Sequence, residues 1–333
     1  MTRWSDLFLV AGVTDRSLSS IADVPARVGR GFRRARAVRR SRSAAPAPAG
    51  DDLIALLVRP LEGRTGSTML MALLGTSDQI AFDRTYPYEF RFLTYLARMV
   101  DTMALPPQSV AGWDQGVLLE GPPHLIGPLP FRSEIVDVRR LQLGAARHLW
   151  AAFSESVRAA SGDRGVRMYA EKAWGDGPTL FGSSGVETRS LNLVRDPRDI
   201  VASVHAFDAR RGFAGFGRRP NQTDEEYLVE LVASMARNYR EMEAAASTGD
   251  AIWVRYEDLV ADGVRAAARI SAWLDLPLDP SVLAPRGAQY RRHSTTPRPE
   301  ASVGRWRDDL SPSQVGLIER QLGDVIRMFG YGG

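Results

Sequence analysis

The run Leu53-Ile54-Ala55-Leu56-Leu57-Val58 is apolar at every position. A strand with one face in water alternates apolar and polar residues, so this run predicts a strand buried on both faces. Such strands belong to parallel sheets, whose crossover connections lay helices over both sides. Val166 to Ala170, Ser190 to Val194 and Ala251 to Arg255 read as further short strands, with helical stretches between them such as Tyr227 to Ala246. The fold class that follows is α/β, a parallel sheet with helices on both faces in a single domain. Near the end, Ser311-Pro312-Ser313-Gln314 offers a serine cap, a first-turn proline and a glutamine three residues on. Val315, Ile318, Leu322 and Val325 follow at helical spacing, which predicts a closing helix packed on that domain.

Residues 1–50 differ from the rest. Eight arginines fall between Arg27 and Arg42, and Ala44-Ala45-Pro46-Ala47-Pro48-Ala49-Gly50 reads as a linker. The division is therefore a basic, partly disordered extension over 1–50 and a folded domain over 51–333. The arginine run is read as a solvated extension or as a basic helix resting on an anionic membrane surface. The chain contains no cysteine, which excludes disulfides, thiolate catalysis and Cys-ligated zinc. Its four histidines are scattered without metal-ligand spacing. With no apolar run of membrane-spanning length and no signal-peptide pattern, a cytoplasmic location is expected. Of the 43 basic residues, Lys172 is the one lysine. Lysine is a compact point charge whose pKa shifts on burial, whereas arginine is a rigid, always-charged fork.

Four short motifs carry the candidate chemistry. Arg64-Thr65-Gly66-Ser67-Thr68 follows the first strand: glycine permits close backbone approach, hydroxyls stand where a helix begins, and the helix N-terminus favours an anion. It lacks the spacing and the lysine of a Walker loop. In Arg195-Asp196-Pro197-Arg198-Asp199, a strand ends in Arg195, Asp196 caps a helix and Pro197 fits its first turn. Ile200, Val201, Val204 and Phe207 form a core-facing stripe, while Arg195 and Ser203 could converge on one phosphate at the carboxyl edge of the sheet. The third and fourth motifs are Arg255-Tyr256-Glu257-Asp258-Leu259 and Ser302-Val303-Gly304-Arg305-Trp306, the latter with a tryptophan that either stacks on a purine or belongs to the core.

In this order the four motifs resemble the 3′-phosphoadenosine-5′-phosphosulfate-dependent sulfotransferases, most of all the bacterial members related to the Golgi carbohydrate and tyrosyl-protein enzymes. The resemblance runs from about Leu53 to Tyr331 and implies a P-loop-like sheet. It implies that Arg64, Thr65, Gly66, Ser67 and Thr68 grip the 5′-phosphosulfate, that Arg195 and Ser203 grip the 3′-phosphate with Tyr256 beside them, and that Arg305 closes over the nucleotide. Ser294 is a looser candidate from the same late segment. The resemblance further implies that Lys172 neutralises charge on the oxygen bridging sulfur and the leaving phosphate, a task suited to a point charge. Magnesium or another metal is not expected.

The acceptor hydroxyl must lose a proton as it attacks sulfur. The resemblance implies Glu89 in Tyr86-Pro87-Tyr88-Glu89-Phe90 as that base, with the flanking aromatics expected to raise its pKa by desolvation. His124, in Pro123-His124-Leu125, is the alternative, and Arg84 is a candidate acceptor contact. The function implied is in-line sulfuryl transfer to a small-molecule or glycan hydroxyl, with no nucleic-acid partner. A P-loop kinase using ATP and a non-catalytic nucleotide-binding module are the rivals. The proline- and glycine-rich stretch from Leu105 to Arg140 is the expected acceptor lid.

Overall fold

The computed structural model describes residues 52–104, 135–162, 165–174, 181–247, 250–284 and 294–332. The chain divides into two units, Met1–Ser43 and Ala44–Gly333. The arginine run, the linker, His124 and nearly all of the expected lid lie outside the described residues.

Five strands form one sheet in the order β2-β3-β1-β4-β5, every neighbouring pair parallel. They are β1 (Ile54–Pro60), β2 (Ile80–Ala81), β3 (Met168–Lys172), β4 (Thr188–Val194) and β5 (Asp250–Arg255). The apolar run of β1 is buried along nearly its whole length because β1 lies in the middle. Lys172 ends β3 opposite Val58, and Arg255 ends β5 opposite Val194, so the motif residues collect at one rim. The strand order reverses across β1, which makes this carboxyl rim the switch point where open α/β sheets bind ligands.

Helices cover both faces. On one, α1 (Ser67–Leu74) lays Leu70 and Leu74 against Leu56 and Val58 of β1 and Met168 and Ala170 of β3. On the other, Leu93 and Leu96 of α2 (Phe92–Ala104) and Trp150 of α3 (Val138–Ser161) pack with Ala55, Leu57 and Tyr169. The third cluster joins Val194, Ile200 and Val201 to α5 and α9, where α4 is Pro197–Arg211, α5 is Asp224–Ala246 and α9 is Pro312–Met328. The other α-helices among the described residues are α6 (Tyr256–Ala261), α7 (Gly263–Leu274) and the single turn α8 (Trp306–Asp309).

The local signals act as expected. Asp196 caps α4 by accepting from Arg198 N, with Pro197 in the first turn. Ser311 and Gln314 form a reciprocal capping box on α9. Ile318, Leu322 and Val325 of α9 are buried, as the spacing predicts. In the α4 stripe, Ile200, Val201 and Val204 are core, but Phe207 is only half-buried and faces the cavity described below. Trp306 is neither an open purine platform nor deep core: Arg198 lies over its ring at 4.0 Å and Arg307 at 4.5 Å. No helix among the described residues is long and apolar enough to cross a membrane.

Candidate active site

A cavity of about 440 Å³ opens at the carboxyl ends of β1, β3 and β4. It is lined by Arg64, Gly66, Ser67, Thr68, Glu89, Lys172, Arg195, Ser203 and Tyr256, which brings three of the four motifs together with the solitary lysine. From the fourth, Ser302 reaches the lining.

The turn after β1 shapes one wall. Arg64 and Gly66 both have left-handed backbones, at φ 69° and 99°. A Cβ on Gly66 would stand 2.5 Å from the Tyr256 ring, so only glycine lets the turn approach α6 this closely. Gly66 caps α1 without a side-chain hydrogen bond, leaving the positive end of the helix at the cavity beside Ser67 and Thr68. Thr65 departs from the expectation. It is fully buried and its hydroxyl donates to Glu62 O, so it braces the turn instead of facing the cavity.

Two guanidinium groups stand together at the next wall. Arg64 Nε donates to Ser203 Oγ at 3.2 Å, and Arg195 Nη1 donates to the Arg64 carbonyl at 2.9 Å. Arg195 Nη2 donates to Ser302 O at 2.6 Å, and its guanidinium lies 4.5 Å from the centre of the Tyr256 ring. Tyr256 is held in turn by a 2.9 Å hydrogen bond between its hydroxyl and Ser302 Oγ. Burial, and then repulsion from Arg195, pull the Arg64 pKa down to about 10. Arg195 Nε is buried without a hydrogen-bond partner. Adjacent cations and an unmatched buried donor are what a bound polyanion would satisfy.

Lys172 lines the same cavity. Its ammonium is almost wholly buried and donates to Thr68 Oγ1 at 3.1 Å, Pro87 O at 2.7 Å and Glu89 Oε1 at 3.3 Å. Its pKa is lowered because burial outweighs the support of Glu89. Glu89 reverses the expectation for its pKa. Burial raises it, but Lys172 and Arg91 together outweigh that, and the net direction is below the ordinary carboxylate value. The reason is position: Arg91 Nη2 sits 2.5 Å from Glu89 Oε2, whereas Phe90 turns out to solvent and stacks on Phe92. Glu89 is therefore ionised at neutral pH. It sits in a loop ahead of α2, not at a helix start.

Other candidates sit differently. Arg305 lies behind the lining, paired with Asp309 and donating to Thr295 Oγ1 at 2.8 Å; Thr295 and Ser294 do line the cavity. Arg84 is outside the lining, donating to Gly75 O and resting on Phe82. Sequence reasoning missed the aromatic wall, in which Phe207 lies between Arg64 at 4.2 Å and Arg211 at 4.5 Å, with Phe216 beside them. It also missed Ser302 as the partner of Arg195 and Tyr256, although the residue stood inside a motif already singled out.

Comparison with known proteins finds similarities over part of the chain. Residues 187–280 match the sulfotransferase family. Carbohydrate sulfotransferase 1 of Mus musculus is 28% identical over 156 residues, which is 42% of this chain and 38% of that protein. The Homo sapiens protein of the same name is 27% identical over the same span. The matched region is thus well under half the length of these curated relatives. Among solved structures, mouse sulfotransferase SULT7A1 complexed with PAP aligns with a TM-score of 0.46 at 12% identity, covering 84% of this chain and 89% of that one. The sulfotransferase domain from the curacin biosynthetic pathway aligns at 0.44 and 14%, covering 82% and 98%.

Proposed function

We propose that this chain is a sulfotransferase and moves a sulfuryl group from 3′-phosphoadenosine 5′-phosphosulfate to a hydroxyl acceptor. The observation that carries the reading is the pairing of two features in one cavity: a cationic cluster of Arg64, Arg195 and the α1 N-terminus, and an ion pair at 3.3 Å between the buried Lys172 and the solvent-accessible Glu89. The cluster suits a nucleotide with phosphate at both ends of its ribose. Ser67, Thr68 and Arg64 would hold the 5′ group, and Arg195 with Ser203 and Tyr256 the 3′-phosphate. The donor supplies the sulfuryl group and a phosphate that leaves with the bridging oxygen.

The chain's residues then have separate tasks. Glu89, ionised at neutral pH, takes the acceptor's proton as the new oxygen–sulfur bond forms. Lys172 places positive charge at the oxygen where the old bond breaks, and burial makes that charge more effective. Thr68 and Pro87 O fix the ammonium so that little reorganisation accompanies the reaction. Phe207 and Phe216 exclude water from one wall. The similarity to carbohydrate sulfotransferase 1 supports a carbohydrate hydroxyl as the first acceptor class to try, with phenols and other small molecules next.

The test is a ligand comparison followed by transfer. Adenosine 3′,5′-bisphosphate at about a hundred times its dissociation constant should stabilise the protein by roughly 2.7 kcal/mol. ATP at the same concentration should do far less. Labelled donor with a panel of glycans and phenols should then yield sulfated product. Equal stabilisation by ATP would favour a kinase, and nucleotide binding with no transfer to any acceptor would favour a binding module.

A further inference from the structure

Glu171, next to Lys172 in β3, is a buried carboxylate that the reaction above does not use; it is 2% exposed. Side chains alternate along a strand. Met168 and Ala170 pack on the α1 face, as does Lys172 through Thr68. Tyr169 packs on the α2 and α3 face, and Glu171 follows it there, accepting from Leu93 N at 3.0 Å and Thr94 N at 3.3 Å. These are first-turn N–H groups of α2, with no intrahelical acceptor of their own.

The two neighbours thus hold one segment from opposite sides of the sheet. Lys172 holds Pro87 and Glu89, and Glu171 holds the chain a few residues later. Between these grips the backbone has no strand or helix, and Tyr88 and Arg91 are left-handed at φ 66° and 57°. No ladder of backbone hydrogen bonds fixes Glu89; its location depends on where the segment is tied. We infer that Glu171 is the positioning residue for Glu89, setting the register of α2 so that the carboxylate meets the Lys172 ammonium. Keeping a carboxylate at so buried a spot is unfavourable, and burial pushes its pKa up to about 7, which an apolar residue there would avoid. The inference rests on the reading of Glu89 as the base.

Because Lys172 is the chain's one lysine, labelling lysine with ¹³C at Cε gives a single resonance that reports on the pair. The experiment follows its titration in the full chain, with adenosine 3′,5′-bisphosphate affinity as a check on the remainder of the site. Glu89→Gln removes the carboxylate that supports the ammonium, so the midpoint should fall. Glu171→Leu should lower it by at least half as much, leave nucleotide affinity within about threefold, and produce no further change in a Glu89→Gln background. Glu171→Gln, which keeps one acceptor oxygen, should shift it in the same sense by less. An unmoved resonance in Glu171→Leu, or a full shift that persists in the Glu89→Gln background, overturns the inference. Should Glu171→Leu not fold, Glu171→Gln decides alone, and no movement there is equally fatal. The readout needs no acceptor, so failure of sulfuryl transfer and failure of this positioning role are separately visible.

Discussion

At the scale of single residues, Lys172 has three N–H donors directed at Thr68, Pro87 and Glu89. A planar guanidinium cannot reproduce three convergent short bonds from one atom. Lys172→Arg is therefore expected to lower kcat by about 10²–10³-fold in a steady-state sulfuryl-transfer assay. Retention of wild-type turnover would remove Lys172 from the mechanism. Glu89 lies below its ordinary pKa of 4.5. The acid limb of kcat/KM should accordingly fall below that value, with a plateau through neutrality, and Glu89→Gln should abolish the limb. A limb near pH 7 would point to an imidazole. Gly66→Ala meets both a φ of 99° and the Tyr256 ring, and should weaken adenosine 3′,5′-bisphosphate binding at least tenfold by calorimetry. That Gly66, Ser67, Thr68 and Lys172 would gather at one cavity was legible in the sequence, because residue type and local spacing mark each of them. The pKa direction of Glu89 was not, because it depends on Arg91 and Lys172 closing on it from two sides.

At the scale of elements, β3 joins the two halves of the site. Glu171 has a pKa pushed up from 4.5 to about 7, chiefly by burial. A carboxyl raised on folding contributes stability that is present below its unfolded pKa and lost as pH climbs through the folded one. Relative to Glu171→Gln, the wild type should therefore lose about 3 kcal/mol between pH 4 and pH 8, measured by urea unfolding at each pH. A difference that does not change with pH would contradict this. Ser311 and Gln314 close α9 reciprocally, and Ser311→Ala should cost about 1 kcal/mol. The strands and this cap could be read ahead of the structure because continuous apolar runs and local hydrogen-bonding residues are short-range signals. The strand limits shifted slightly, β3 running to Lys172 itself. The two-residue β2 gave no such signal, since its pairing with β3 is set by the sheet and not by its own sequence.

At the scale of the molecule, parallel strands reverse their order across β1 and deliver four distant segments to one rim. The motif order in the sequence pointed to that rim. The aromatic wall of Phe207 and Phe216 with Arg211 did not show, because it exists only once α4 and the loop after it fold back over the turn at Arg64. The central claim is that Arg195 and its neighbours recognise a phosphate on the ribose 3′ position. Titration calorimetry with adenosine 3′,5′-bisphosphate and adenosine 5′-monophosphate tests it most directly. Hydrogen bonds to a charged group contribute about 1.5–3 kcal/mol each, so the bisphosphate should bind roughly 10–100-fold more tightly, and Arg195→Ala should erase most of that margin. Equal affinity for the two nucleotides, or a margin untouched by Arg195→Ala, would contradict the account.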